Sequence, residues 1–375
     1  MRIAVNTRLL IKNKLDGIGW FSYESLKRIS SLHPEHQFYF IFDRPFSDEF
    51  IFSDNIEPIV TGPPTRHPLL WYYWFEMRLP KVLDKINPDV FLSPDGYLSL
   101  TTKIKSLPVI HDINFAHYPK DLPFATRWYY NYFFPKFAQK AERIVTVSEY
   151  SKQDIASTYS IGNEKIDVVY NGSNIIYEPI SDKLKAEIKK EYTKGEDYFI
   201  FIGSIHPRKN IGRMLLAFDK FRKLSTKAYK LIIIGSHFFK NHEMNRIFES
   251  MSYRNEVLFF GHQSPEKIKE LLASAKALIL TSKFEGFGIP VLEAMYCDIP
   301  SIISDSTSLP EVGGKASLYA NPFSVDSISN AMLKMASDDN LRNGLIENSK
   351  TQRQKFSWDK TAEKLWQSIL KTANG

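Results

Sequence analysis

The stretch ALILTSKFEGFGIPVLEAM, residues 277–295, decides how the rest of the chain is read. Its first four residues form an apolar run of the length expected for a buried strand. Glycines follow at 286 and 288, where a tight bend and a close backbone approach are tolerated best. Pro290 has the fixed φ and the missing N–H that suit the start of a helix. The unit is therefore strand, bend, helix. Glu285 falls at the carboxyl end of the strand, and Glu293 falls in or near the first turn of the helix. In an open parallel sheet, ligands bind in the crevice outside the carboxyl ends of the strands. The helix N-terminus there favours an anion such as phosphate. The stretch reads as a site for a molecule that bears both phosphate and hydroxyls.

The same alternation recurs along the chain, which argues for α/β architecture with parallel sheets. In the first half, RIAVN, QFYFIF, DVFLS, LPVIHD, RIVTVS and KIDVVYN read as strands, with GIGWFSYESLKRIS as an amphipathic helix between the first two. A charged, strand-poor stretch, SDKLKAEIKKEYTKGED, interrupts the pattern. It resumes with YFIFIGS, YKLIIIG, NEVLFFG, ALILTS and PSIISD. The expected division is 1–172, a linker over 173–196, a second α/β half over 197–355, and a terminal helix over 356–375. A length of 375 residues fits two or three domains at about 150 residues each.

Composition narrows the class. Hydrophobic content of 43% and charged content of 24% describe an ordinary soluble protein. Lys and Arg number 49 against 42 Asp and Glu, so the net charge is +7. That balance suits an anionic ligand or an anionic membrane surface. Without a compact basic run, nucleic acid is not the expected partner. The single Cys297 excludes an intrachain disulfide and a cysteine-cluster metal site. The start, MRIAVNTRLL, reads as a strand rather than a signal peptide. No apolar run approaches the roughly 20 residues that span a bilayer. The expected location is cytoplasmic.

Four further motifs bear on chemistry. FIGSIHPRKNIGRMLLAF ends a strand at Gly203 and places Arg208 and Lys209 in the following loop. Two cations at a parallel strand end can neutralise a diphosphate; the competing reading is a solvated basic loop. No Asp-x-Asp pair is present to hold a divalent cation against a diphosphate, so side chains and a helix N-terminus would have to do that work. Gly17 and Gly19, in LDGIGW, fall between the first strand and its helix. Ser22 stands where a third glycine would complete G-x-G-x-x-G, which disfavours a dinucleotide-binding oxidoreductase. His111 and Asp112 close another strand, in VIHDINF, either as a structural hydrogen bond or beside a sugar oxygen. Ser148 is expected to cap the helix that begins in SEYSKQDI.

Taken in order, these elements resemble the retaining, nucleotide-sugar-dependent glycosyltransferases of family 4. The resemblance runs through GIG, VIHD, AERIVTVSEYSK, VVYNG, GSIHPRKN, EGFGIPVLEAM, SLPEVGG and FSWDKTA. Its most specific element is the pair Glu285 and Glu293 downstream of the Arg208-Lys209 loop. The resemblance implies a GT-B architecture, with two Rossmann-like doubly wound domains facing across a cleft and a C-terminal helix crossing back to the first. It implies that Glu285 and the backbone of Gly286, Phe287, Gly288 and Ile289 face the donor sugar, and that Glu293 holds the ribose. Arg208 and Lys209 would bind the diphosphate near Gly203, Gly17 and Gly19 would close over it, and His111 would lie near the transferred sugar. The implied reaction is hexosyl transfer from a GDP-sugar or UDP-sugar, mannosyl favoured over glucosyl and N-acetylglucosaminyl, with no obligatory metal. One departure is Asp16, an acid where many members carry glycine before the loop.

Two function classes stay open on sequence alone. One is an active glycosyltransferase in cell-surface polysaccharide assembly. The other is a non-catalytic nucleotide-sugar or glycan-binding module, or a GT-B isomerase or phosphorylase. The retained leaving-group cations favour the first. The segments PTRHPLLWYYWFEMRLPKVL and TRWYYNYFFPKFAQK interleave aromatic and basic residues, as interfacial helices do. They read either as core-facing helices or as a surface for an anionic membrane. In the second case the acceptor is a lipid-linked saccharide, and the protein sits peripherally on the inner face of the cell membrane. A free glycan is the alternative acceptor.

Overall fold

The computed structural model describes residues 1–235 and 242–375. They divide into two units, Met1–Gly172 together with Ser357–Gly375, and Ser173–Phe356.

The first unit is built on five parallel strands: β1 Arg2–Asn6, β2 Gln37–Phe42, β3 Ile56–Val60, β4 Val90–Ser93 and β5 Ser106–Pro108. Their order is β3-β2-β1-β4-β5. A parallel pair, β6 Ile144–Thr146 and β7 Ile166–Val168, continues from β5 through the bridge between Val109 and Val145. In the β1–β2 register Ile3 faces Phe38 and Val5 faces Phe40, and all four are buried. Strands covered on both faces carry near-continuous apolar runs, so these segments are legible in sequence. The strand β3 is not. It contains Pro58 and lies at the sheet edge, where a missing N–H is tolerated.

The second unit contains β8 Asp197–Ile202, β9 Tyr229–Ile234, β10 Val257–Phe260, β11 Ala277–Leu280, β12 Ser301–Ser304 and β13 Ser317–Ala320. The order β10-β9-β8-β11-β12-β13 is the doubly wound arrangement, with every pairing parallel. The edge strand β13 is the other strand absent from the sequence expectation. The charged stretch after Gly172 holds a helix, Asp182–Thr193, whose N-cap Ser181 accepts from the Leu184 N–H, and it counts within the second unit.

The last helix, Trp358–Asn374, packs on the first unit against the helix Gly17–Leu32. Its buried residues include Trp358, Thr361, Ala362, Leu365, Trp366 and Ile369, a spacing that makes one apolar face. Trp366 stacks on His33 at 3.9 Å between centroids, and Arg28 pairs with Asp359 at 2.6 Å. The Thr361 hydroxyl donates to the Tyr170 carbonyl at 2.6 Å.

Both aromatic-basic segments are helical, over residues 68–86 and Phe124–Lys140. Each has an inward face. Trp74, Phe75, Leu79 and Leu83 on the first, and Tyr129, Phe133, Phe134 and Phe137 on the second, enter one core. Each also has an outward face. Among the described residues no helix is long and apolar enough to cross a membrane.

Candidate active site

In the second sheet the strand order reverses between β8 and β11, and both predicted motifs leave from that point. After β8 the chain turns at Gly203 and forms a one-turn helix, Pro207–Lys209, capped by His206. After β11 it runs through Thr281 and Ser282 to Glu285, then bends into the helix Ile289–Tyr296. Gly288 caps that helix at φ 101°, and a Cβ there would lie 2.6 Å from Leu309 Cδ2. Only glycine fits both demands.

Parallel pairing of β8 with β11 brings Arg208, Lys209 and Glu285 together across 76 residues of sequence. Lys209 Nζ donates to Glu285 Oε1 at 2.6 Å, and Arg208 donates to Oε2 at 3.0 Å and to the Phe284 carbonyl at 3.0 Å. Ser282 Oγ adds a third donor to Oε1 at 2.6 Å. Hydrogen bonds to backbone carbonyls tie the loops into one piece. Lys283 N–H donates to the Arg208 carbonyl at 2.7 Å, and Ser308 Oγ donates to the Glu285 carbonyl at 2.8 Å. Asn210 Nδ2 reaches the Thr281 and Pro322 carbonyls at 2.9 and 2.6 Å, linking the loops after β8, β11 and β13.

Glu285 is only 4% exposed. Burial works to raise its pKa, but the charges of Lys209 and Arg208, with the hydrogen bonds from Lys209 and Ser282, bring it down to about 2. An ionised carboxylate offers about four acceptor positions. Among the described residues three are taken, leaving one on Oε2 for a ligand hydroxyl. Two cations thus converge on this one carboxylate. Ser282, Ser308 and Asn210 went unnoticed in the sequence, since a lone Ser or Asn at a strand end carries no distinguishing pattern.

Glu293 has a different environment. It lies in the second turn of the helix Ile289–Tyr296, and the buried Tyr177 hydroxyl interacts with its carboxyl. Burial raises its pKa to about 7, with the Tyr177 bond opposing. Phe287 is buried and meets Phe356 edge-on at 5.5 Å, while Ile289 opens the helix. Gly286 is buried between Glu285 and Phe287.

The remaining predicted residues belong to the first unit. Gly17 and Gly19 are not in a loop. They are the first and third residues of the helix Gly17–Leu32, whose N-cap Asp16 accepts from the Gly19 N–H at 3.0 Å. The acid that departs from the family pattern thus satisfies the helix's own free donor. His111 follows β5, and its Nε2 lies 2.9 Å from the Pro94 carbonyl. A carbonyl only accepts, so Nε2 carries the proton. Burial lowers the His111 pKa, against the Pro94 bond and Asp112. The neutral ring therefore presents Nδ1 as an acceptor rather than a donor. Asp112 accepts from the Asn114 N–H at 3.0 Å, and Ser148 caps its helix as expected. One buried cluster was not foreseen. At the carboxyl ends of β1 and β4, Arg8 pairs with Asp95 at 2.5 Å, and Asn6 Nδ2 donates to Asp95 at 2.9 Å.

Residues 17–175 match Glycosyltransferase Family 4, and residues 183–352 match Glycosyl transferases group 1. The chain is 27% identical to O-antigen chain mannosyltransferase B of Escherichia coli over 360 residues, 93% of this chain and 94% of that protein. It is 30% identical to O-antigen chain mannosyltransferase RfbU of Salmonella typhimurium over 258 residues, 68% of this chain and 67% of the relative. The crystal structure of Anabaena HepE in complex with UDP and glucose superposes with a TM-score of 0.75, covering 99% of both chains at 15% identity. The shared fold is the two-domain GT-B type. Matched over both sheets, the chain belongs to the family 4 glycosyltransferases.

Proposed function

We propose that this protein transfers a hexosyl unit, mannosyl in the first instance, from a nucleoside-diphosphate sugar to a glycan or lipid-linked acceptor. The transfer would retain anomeric configuration, need no obligatory metal, and serve cell-surface polysaccharide assembly in the cytoplasm. The observation that carries this reading is the Arg208–Lys209–Glu285 cluster at the reversal point of the second sheet. The two O-antigen mannosyltransferase relatives favour mannose and polysaccharide.

The chemistry follows from where charge develops. Breaking the bond between the anomeric carbon and the diphosphate oxygen leaves negative charge on the diphosphate and positive charge on the sugar ring. Arg208 and Lys209 are fixed in advance and stabilise the first without reorganising, which is usually the largest catalytic contribution. Glu285, bound by a cation on each oxygen, is a poor nucleophile. Its remaining acceptor position suits a sugar hydroxyl, and its charge suits the ring as it turns cationic. The acceptor oxygen then bonds to the anomeric carbon on the face the diphosphate leaves, and the departing phosphate oxygen takes the acceptor's proton.

The test is a thermal-shift panel of guanosine and uridine nucleotide sugars, followed by turnover of the best binder with and without EDTA. A ligand that binds only the folded form raises stability by RT ln(1 + [L]/Kd). A GDP-sugar should stabilise most, and turnover should be unchanged by EDTA. No stabilisation by any nucleotide sugar refutes the donor reading, and an absolute divalent-ion requirement refutes the metal-free one.

A further inference from the structure

The loop that follows β12 carries a backbone cost that its own sheet does not require. Among the described residues seven non-glycine residues sit at positive φ, and six of them are Asn, Asp, Ser or Lys. The seventh is Thr307, at φ 58°. Asn and Asp tolerate this left-handed region, whereas a β-branched residue there is a genuine outlier. A second cost lies beside it. The Ser306 hydroxyl is buried and has no hydrogen-bond partner among the described residues, and a buried orphan group of that kind calls for an explanation. The ladder pairings of β12 end at Ser304, so neither cost serves the sheet.

The loop instead holds the segment that carries Glu285. The Glu285 N–H donates to Thr307 Oγ1 at 3.3 Å. Ser308 Oγ donates to the Glu285 carbonyl at 2.8 Å and lies 3.3 Å from the Phe287 carbonyl. Leu309 occupies the space that a Cβ on Gly288 would enter. At the end of the strand, Ser304 Oγ donates to the Ser282 carbonyl at 2.5 Å, and Ser282 Oγ is itself a donor to the carboxylate. The Glu285 backbone is thus held at both its N–H and its C=O by two consecutive residues, the first of them strained.

We infer that Thr307 is a positioning residue for sugar transfer. Its left-handed backbone places a hydroxyl on the Glu285 N–H, and this fixes where the carboxylate meets the transferred sugar. The inference rests on the donor reading above. Strain held at a functional site trades stability for geometry, and a misplacement of about 1 Å can cost a hundredfold in rate.

Three substitutions separate the hydroxyl from the strain. Thr307→Ser keeps the hydroxyl, Thr307→Ala removes it but leaves a Cβ at positive φ, and Thr307→Gly removes both. The readouts are the melting temperature, kcat for release of GDP from GDP-mannose, and Ki for free GDP; the uridine pair replaces these if the thermal-shift panel selects it. Thr307→Gly should melt about 2–4 °C above Thr307→Ala, the reverse of the usual order, in which alanine restricts the unfolded chain. The rate should follow the hydroxyl instead. Thr307→Ser should stay within about twofold of wild type, and Thr307→Ala and Thr307→Gly should both fall about tenfold, as expected when an N–H loses its partner. Ki for GDP should stay within about threefold, because Thr307 acts on the sugar side through Glu285. A purely structural role would make the more stable glycine variant the faster one. If Thr307→Ala does not fold, the glycine and serine variants still compare the hydroxyl. Wild-type kcat without the hydroxyl, kcat rising with melting temperature from alanine to glycine, or GDP inhibition weakening in step with kcat overturns the inference. So does a glycine variant that melts no higher than the alanine one. A wild type that neither binds nor turns over a nucleotide sugar is a different result, and overturns the donor reading itself.

Discussion

If Glu293 holds the donor ribose, donor affinity should depend on pH near neutrality, and the dependence should vanish in Glu293→Gln. Burial raises the Glu293 carboxyl from 4.5 to about 7. An ionised carboxylate can accept from both hydroxyls of a ribose, whereas the protonated form spends one oxygen as a donor. Apparent affinity then scales with the ionised fraction, about 9% at pH 6 and about 91% at pH 8 for a group titrating at 7. The donor Kd should therefore tighten about tenfold across that range. The ligand must be an intact nucleotide sugar, because a free nucleoside diphosphate has a phosphate that titrates near pH 6. Calorimetry at several pH values in wild type and Glu293→Gln reads this directly. The same group affects the unliganded protein with opposite sign. A carboxyl whose folded pKa exceeds its unfolded value contributes stability below pH 4.5 that is lost as pH rises through 7, on the order of 3 kcal/mol here. The neutral glutamine removes both dependences. A flat wild-type affinity profile, or the same slope in Glu293→Gln, would refute the assignment.

Glu285→Gln should lower kcat with little change in donor KM, because its charge is most useful as the ring becomes cationic. It should also destabilise the second unit by about 3–5 kcal/mol, the cost of leaving buried cations unpaired, read by denaturant titration. Its acid limb should change too. The Glu285 carboxyl is depressed to about 2, so its stabilisation is present above pH 4.5 and lost as pH falls towards 2; the variant should lack this acid-dependent loss. Leu365→Ala, in the buried face of the last helix, should cost about 2–5 kcal/mol, with a lowered midpoint by circular dichroism. A cost below 1 kcal/mol would mean the helix is not held by that face.

The parts of the fold legible from sequence were those whose pattern is local. The strands β8, β9, β11 and β12 are buried apolar runs bounded by polar or glycine-bearing turns, and such runs announce themselves. The edge strands β3 and β13 are shorter in apolar content, and Pro58 breaks the first, so their pairing is apparent only once the neighbouring strand is in place. The candidate site divides in the same way. That Arg208, Lys209 and Glu285 end strands could be read from each motif separately. That Glu285 pairs with both cations could not, because it depends on β8 lying beside β11. The helix GIGWFSYESLKRIS stands where it was expected, but the reading of Gly17 and Gly19 as a loop before it does not, since Asp16 can serve either as a loop residue or as a helix cap and only the backbone distinguishes them. The aromatic segments were posed as either core or surface. Helical geometry gives them both faces, with Tyr129 and Phe133 inward and Trp128 and Tyr132 outward.

The central claim is that Arg208 and Lys209 stabilise a departing diphosphate. Replacing both by glutamine removes the charges while keeping amide donors for Glu285. The decisive measurement is single-turnover transfer from the preferred nucleotide sugar by wild type and by this double variant, at saturating donor. Loss of one preorganised donor to a developing anion costs about a hundred- to a thousandfold. The account predicts at least a thousandfold slower transfer by the variant, with its fold intact by circular dichroism. Transfer within tenfold of wild type would contradict it.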